Sequence, residues 1–282
     1  LRIVEARVRP ERLRQSDELG RGKWWQFLRP RLELYSTLEC IDRILVTNCG
    51  ATPHLAFAFM GTGIVFAHTL AVFVHESDGA FCALQSRPHE VWARFFGSSM
   101  KDDLRYTPSD CFETFPFPKD FESSPGLAEA GKEYYEFRAD LMIRDNEGLT
   151  KAYNRFHDPN ETSPNIIRLR DLHAAMDRAV LDAYGWNDLQ PTCEFLLDYE
   201  EEEDSDDAPR KRKKPWRYRW PDEFRDEVLA RLLALNAERA EEERLAGEAA
   251  VPDRASKTRI RKPRKTKKGS SDSSKQPNLI EV

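Results

Sequence analysis

No stretch of this sequence approaches the roughly 18 consecutive apolar residues that a membrane-spanning helix requires, so no membrane partner is expected. Cysteine is scarce. Cys40, Cys49, Cys82, Cys111 and Cys193 are odd in number and contain no C-x-x-C pair. That pattern supplies neither a disulfide frame nor a structural zinc site, and it suits reduced thiols in a cytoplasmic protein. An excess of one charge is also missing: a third of the residues are charged, yet the formal net charge is only -5. The chain as a whole is therefore not an electrostatic nucleic-acid binder, and any DNA-facing surface must be local. His54, His68, His75, His89, His157 and His173 are scattered, with no Asp/Glu and Ser/Cys partners at a recognisable catalytic spacing. We expect no catalytic residue and no metal ligand in this chain, and His89 and His173 read as surface or boundary positions on helices.

With 282 residues, 40% hydrophobic and 11% aromatic, the chain is long enough for one or two packed domains and tails. From Arg43 to Ser86 the segments RILVT, HLAFAFM, GIVFAHTLAVFV and AFCALQS read as strands, with Asp78-Gly79 as a hairpin turn. A helix follows, capped by Ser86 with Pro88 in its first turn, carrying Val91, Trp92, Phe95 and Phe96 on one side and stopped by Gly97. After Pro118 the period becomes helical. Leu127, Ala130, Tyr134, Phe137 and Leu141 form one apolar face; Ile166, Leu169, Leu172, Met176, Ala179 and Ala183 form a second, between Ser163-Pro164 and Gly185. A third helix starts at Pro221 with Asp222 and Glu223 at its positive end and carries Phe224, Val228, Leu232 and Leu235. These patterns predict an α+β fold.

Phe59-Met60-Gly61-Thr62-Gly63 has the F-x-G-x-G form of a cofactor loop, but such glycines should feed a helix and here the sequence continues as strand, so the pair reads as a tight turn. The acidic run Asp198–Pro209 and the basic run Arg210–Lys214 read as a solvated linker. The tail from Ala246 on, rich in Lys, Arg, Ser and Pro, lacks the apolar residues to fold.

The segment SRPHEVWARFFGSSMKDDLRYTPSDCFETFPFP (Ser86–Pro118) resembles the end of the target-recognition domain of large bacterial adenine-specific DNA methyltransferases. That group includes stand-alone methylases of phage defence and the type IIG restriction–methylation enzymes. The resemblance extends through WWQFLRPRLELY, LVTNCGATPHLAFAF, LTKAYNRFHD, LRDLHAAMDRAVLDAYGW and PWRYRWPDEFRDEVLARLLALNAERAEEE. Together with the patterns above, it gives the expected layout: the end of a preceding segment at 1–19, a recognition domain at 20–118, a helical subdomain at 119–197, a linker at 198–214, a helix region at 215–248 and a disordered basic tail at 249–282.

Such methylases hold S-adenosylmethionine and an Asn/Asp-Pro-Pro-Tyr/Phe loop ahead of the recognition domain, and no such tetrapeptide occurs here. With Leu1 at its start, the chain is expected to be the C-terminal piece of a longer enzyme. Its expected partners are double-stranded DNA and the missing N-terminal methyltransferase domain; the cofactor belongs to the parent.

The DNA-facing candidates mix cations with aromatic residues. Lys23, Arg29 and Arg31 flank Trp24, Trp25 and Gln26, where phosphate binding and base stacking compete with simple burial of the tryptophans. Lys101, Arg105 and Tyr106 lie in the loop ahead of FPFP, an element expected to be structural. In KPWRYRW, Arg217 and Arg219 either grip nucleic acid or face solvent while Trp216, Tyr218 and Trp220 pack inward. The alternative reading of the chain is a protein-interaction module of a defence system without its own DNA binding.

Overall fold

The computed structural model describes residues 2–14, 24–25, 31–100, 103–197 and 216–250, with backbone alone at 98–100 and 247–250. Lys23, Arg29, Lys101, the charged linker and the basic tail beyond Ala250 lie outside the described residues; the stretch up to Ala250, expected to be unfolded, is the helical end of the last helix. The fold is α+β.

Helix α1 (Arg2–Leu13) buries none of its side chains. After α2 (Leu32–Leu38), strand β1 (Arg43–Asn48) forms the centre of an antiparallel sheet, flanked by β2 (Ala58–Gly61) and β3 (Leu70–Phe73). Successive strand side chains point to opposite faces, and in β1 both faces are covered. Ile44 and Val46 pack with Leu38 of α2, whereas Leu45 joins Phe57, Phe73 and Phe81 in the main core. Full burial on both sides is why RILVT reads as a continuous apolar run.

The expectations for AFCALQS, Asp78-Gly79 and the F-x-G-x-G glycines fail in this region. AFCALQS is not a strand: it belongs to helix α3 (Asp78–Gln85), and Asp78-Gly79 starts that helix instead of turning a hairpin. The Ser77 side chain accepts the Ala80 amide as an N-cap. Gly79 through Gln85 are all buried, so there is no polar face to reveal a helical period. The glycines of F-x-G-x-G make no tight turn either; β2 ends at Gly61, strand resumes only at Leu70, and both strands pair with β1 instead of each other.

Helix α4 (Arg87–Phe96) lies between Ser86 and Gly97 as expected, but its buried side is Pro88, His89, Trp92 and Ala93, while Phe95 and Phe96 are exposed. The hairpin of β4 (Ser98–Met100) and β5 (Asp103–Arg105) and the short α5 (Pro108–Cys111) follow. The FPFP segment then packs Phe115 among Trp92 and His89. Its carbonyls have no ladder: Phe115 O accepts the Phe117 amide, Tyr184 Oη donates to Pro116 O, and the Arg239 guanidinium to Phe117 O.

Helices α6 (Pro125–Asp145), α7 (Leu149–Phe156) and α8 (Pro164–Ala183) complete the main core. That core unites Leu45, Phe57 and Phe81 with Tyr134, Phe156 and Met176, so it runs across the expected border at Pro118. Gly131 of α6 meets α3 so closely that a Cβ there would stand 2.3 Å from Asp78 O. Helix α7, which the periodicity did not indicate, ends on Arg170: that buried guanidinium donates to the carbonyls of Arg155, Phe156, Asp158 and Glu161, satisfying groups a helix end leaves open. Gly185, at φ 78°, closes α8 in the left-handed conformation that glycine adopts without strain.

Strands β6 (Glu194–Leu197) and β7 (Trp216–Arg219) pair antiparallel, and α9 (Asp222–Ala250) follows. Val228 and Leu232 of α9 join Trp92, Phe115, Leu181 and Trp220 in a second apolar cluster. The described residues 240–250 belong to a second unit, in which Arg244 pairs with Glu241.

A buried ion pair binds these parts. The Arg87 amide donates to Asp177 Oδ1 at 2.8 Å and its guanidinium to Asp177 Oδ2 at 2.5 Å, with further bonds to His173 Nδ1 at 2.9 Å and Tyr218 O at 3.3 Å. Burial alone would raise the Asp177 carboxyl; the Arg87 charge, together with His173, outweighs it and holds the group below the usual carboxylate range. His173, expected near the surface, is buried because its ring completes this network.

Asp177→Asn should destabilise the chain by about 3–5 kcal/mol, because it strands the Arg87 charge in the interior, whereas a double change to Arg87→Met and Asp177→Leu should recover most of that loss. Urea unfolding of the single and double variants checks this. Gly131→Ala should cost about 1–3 kcal/mol by forcing α3 and α6 apart, read in the same experiment.

Candidate nucleic-acid interface

The principal cleft among the described residues lies where α4, β7 and the first turns of α9 converge, with His157 from the end of α7. Its volume is about 650 Å³. Helix α4 contributes Arg87, Glu90, Val91, Arg94 and Phe95; β7 and the residue after it contribute Arg217, Tyr218, Arg219 and Trp220; α9 contributes Arg225, Asp226 and Leu229.

Strand alternation in WRYRW meets the inward-packing reading only in part: Trp220 is buried and Tyr218 packs on the core, but the first two positions are reversed. Arg217 is buried at 7% exposure, while Trp216 is 39% exposed. The reason is the polar layer under β7. Arg217 donates to His54 Nδ1 at 3.1 Å, which fixes the proton of this neutral ring on Nε2, and that atom donates to Asn154 Oδ1 at 2.8 Å. His157 stacks on His54 at 5.1 Å and 10°, and its Nδ1 accepts the Tyr218 amide at 3.0 Å. Burial depresses the pKa of both imidazoles, and the neighbouring Arg217 charge depresses them further, so both rings are neutral at pH 7. Two neutral rings thus seat a buried guanidinium.

The other cations of the cleft have carboxylate neighbours. Arg94 pairs with Glu90 at 2.8 Å and also donates to Pro53 O, and Arg219 and Arg225 share Asp222 at 2.7 and 3.0 Å. Trp220 is 2% exposed, and its indole N–H has no acceptor among the described residues. Leaving such a donor unsatisfied costs about 1–3 kcal/mol.

The expected site residues separate into groups. Arg217 and Arg219 share the cleft, Arg217 as a buried residue and Arg219 half-buried. Arg105 is exposed on β5, whose Leu104 exchanges two backbone hydrogen bonds with Thr52, next to the Pro53 carbonyl that Arg94 holds. Arg31 is exposed at the start of α2 in the left-handed conformation, φ 52°, a strained state for a residue with a side chain.

Tyr106 is a correction. It is buried, its hydroxyl bonds His89 Nε2 at 3.2 Å, and its ring packs on Phe57 and Phe73, so it is unavailable to a duplex. His89, likewise expected near the surface, is fully buried, with Nδ1 donating to Leu84 O at 2.7 Å. Trp25 is 58% exposed and Trp24 half-buried against it, so Trp25 at least is no core residue.

Arg94, Phe95, Arg225 and His157 were missed in the sequence. Arg94 is the i,i+4 partner of Glu90 on the same helix, and the others sit on separate elements that only the fold assembles. Among the described residues no group of His, Cys, Asp or Glu is arranged to hold a metal ion, and no helix is long and apolar enough to cross a membrane.

Residues 42–119 match the family model described as the MmeI target recognition domain. No curated protein matches the chain. Among solved structures, the type IIL restriction-modification enzyme MmeI in complex with DNA is similar with a TM-score of 0.56 and 17% identity, over 85% of this chain and 27% of that enzyme. At that identity the likeness establishes a common fold, and this chain spans about a quarter of the length of that protein.

The neutral histidines make stability depend on pH. Burial pushes His89 down to about 4, and His54 and His157 also lie below their ordinary value of 6.5. The unfolded chain then binds more protons than the folded one below pH 6.5, so stability is full above that pH and falls as pH drops toward 4. His89 should contribute a slope of up to about 1.4 kcal/mol per pH unit between about 6.5 and 4, and His54 and His157 add a slope of the same sign below their ordinary value. Urea unfolding at pH 7.5, 6 and 5 measures it, and a flat profile would mean that these rings are not held neutral.

Proposed function

We propose that this chain is the DNA target-recognition portion of a bacterial restriction-modification enzyme. The observation that carries this reading is the match of residues 42–119 to the MmeI target recognition domain. The fold shared with a restriction-modification enzyme solved on DNA supports it. The parent enzyme, on this reading, transfers a methyl group from S-adenosylmethionine to the exocyclic amine of a target adenine, which must leave the base stack to react. The catalytic loop and the cofactor belong to an N-terminal methyltransferase domain ahead of these residues. The setting is the bacterial cytoplasm, in restriction or phage defence.

This chain supplies grip and readout. Guanidinium and ammonium groups fix register on the phosphates, and a few loop side chains read base edges in the major groove. The sheet and α3 hold those loops on a buried frame, which is how recognition loops keep their geometry. Arg31 and Arg105, exposed on described elements, are assigned to phosphate contacts together with Lys23, Arg29 and Lys101. Arg217 and Arg219 contribute positive potential to the cleft. Tyr106 acts indirectly, by holding His89 and the β5 backbone in place.

Selection of retained fragments from a random duplex pool at moderate salt, followed by sequencing, should enrich one short motif. Binding without enrichment would mean that readout needs the methyltransferase domain; no retention at any salt would overturn the reading in favour of a protein-interaction module. A combined Arg31→Gln and Arg105→Gln variant should flatten the plot of log affinity against log salt by about two, at roughly 0.9 per lost phosphate contact. An unchanged slope would remove both residues from the interface.

A further inference from the structure

The cleft between α4, β7 and α9 is larger than phosphate contacts require. Its volume of about 650 Å³ falls within the range of small-ligand sites. Its lining combines the apolar Val91, Phe95 and Leu229 with the guanidinium groups of Arg217 and Arg225. Most of the cations around it already have carboxylate neighbours, Glu90, Asp222 and Asp226 among them. Such a balance suits a ligand with a flat apolar body and one or two negative charges better than a long polyanion. Independently, the Trp220 indole N–H is buried beside the cleft with no acceptor among the described residues.

We infer that this cleft holds a single nucleotide. A base offers a planar face to the exposed Phe95 ring and ring nitrogens or carbonyls as acceptors, and its phosphate is matched by the planar donors of arginine. The nucleotide comes either free from solution or unstacked from a DNA strand. Only the second source rests on the target-recognition reading above.

The full chain would be titrated with the four deoxynucleoside monophosphates, and with two duplexes that differ by one extrahelical 2-aminopurine nucleotide. Phe95→Ala removes a ring that is 55% exposed, so folding should be indifferent to it, and Leu229→Trp fills the cleft. Thermal melts of both variants provide the folding control. The expected result is binding of a monophosphate, or preference for the bulged duplex, that falls about tenfold in Phe95→Ala, in line with the worth of base stacking on an aromatic ring.

A preference for the bulge that Phe95→Ala abolishes identifies the strand as the source; cleft-dependent binding of a monophosphate without that preference identifies a free nucleotide. If neither ligand binds, or if binding is unchanged in a folded Phe95→Ala variant, the inference is overturned. Binding of the paired duplex that ignores both substitutions would leave the target-recognition reading standing while the nucleotide site fails. Cleft-dependent monophosphate binding without binding of either duplex would support the nucleotide site with a free source, and target recognition would then stand or fall on the random-pool selection.

Discussion

The Arg87–Asp177 pair is the constraint on which the geometry of the cleft depends. Arg87 opens α4, Asp177 lies in the buried middle of α8, and Tyr218, whose carbonyl Arg87 also holds, belongs to β7. One guanidinium therefore sets two sides of the cleft against each other and fixes both to the helical core. A charge pair without exposure to water stabilises little over an apolar substitute, but removing one partner is costly. The observed bond set, with both carboxylate oxygens and a histidine engaged, keeps the pair fully partnered.

Buried arginine is the recurring device elsewhere. Arg138 has no carboxylate partner among the described residues; it donates instead to Gln85 Oε1, Tyr153 Oη and Phe57 O, with the Phe81 and Tyr134 rings around it. Arg170 closes α7, and Arg217 sits on His54. Arg138 and Arg170 supply several donors in a fixed plane where backbone carbonyls lie without a ladder, whereas Arg217 donates to an imidazole. Gln85 does the same in miniature, accepting the Phe57 amide and donating to Leu55 O as a neighbouring strand would. Long connections are thereby held in place without regular secondary structure. That is the mechanical requirement for a domain whose loops must present side chains at defined positions.

Electrostatics in this protein is correspondingly local. A net charge of -5 coexists with exposed Arg31 and Arg105 and with an arginine-rich cleft whose charge is moderated by nearby carboxylates. Partial neutralisation weakens indiscriminate attraction to polyanions and leaves more of the affinity to shape and hydrogen bonding. The neutral His54 and His157 belong to the same arrangement, since a charged ring beside Arg217 would add an uncompensated cation to the interior.

The sequence by itself determined the elements with an exposed face or clear punctuation: β1, α4 with its Ser86 and Gly97 ends, and the amphipathic α6, α8 and start of α9, where apolar spacing and caps are read one residue at a time. It also carried the resemblance at Ser86–Pro118 that the family match meets. Tertiary structure decided what has no local signal. The burial of α3 on all sides erased its period. The inward turn of Arg217 and the burial of Tyr106, His89 and His173 depend on acceptors and donors up to 163 residues distant in the chain. The cleft follows the same logic, because its lining comes from four elements whose meeting is set by buried hydrogen bonds, and a linear pattern records spacing along the chain but no contact across it.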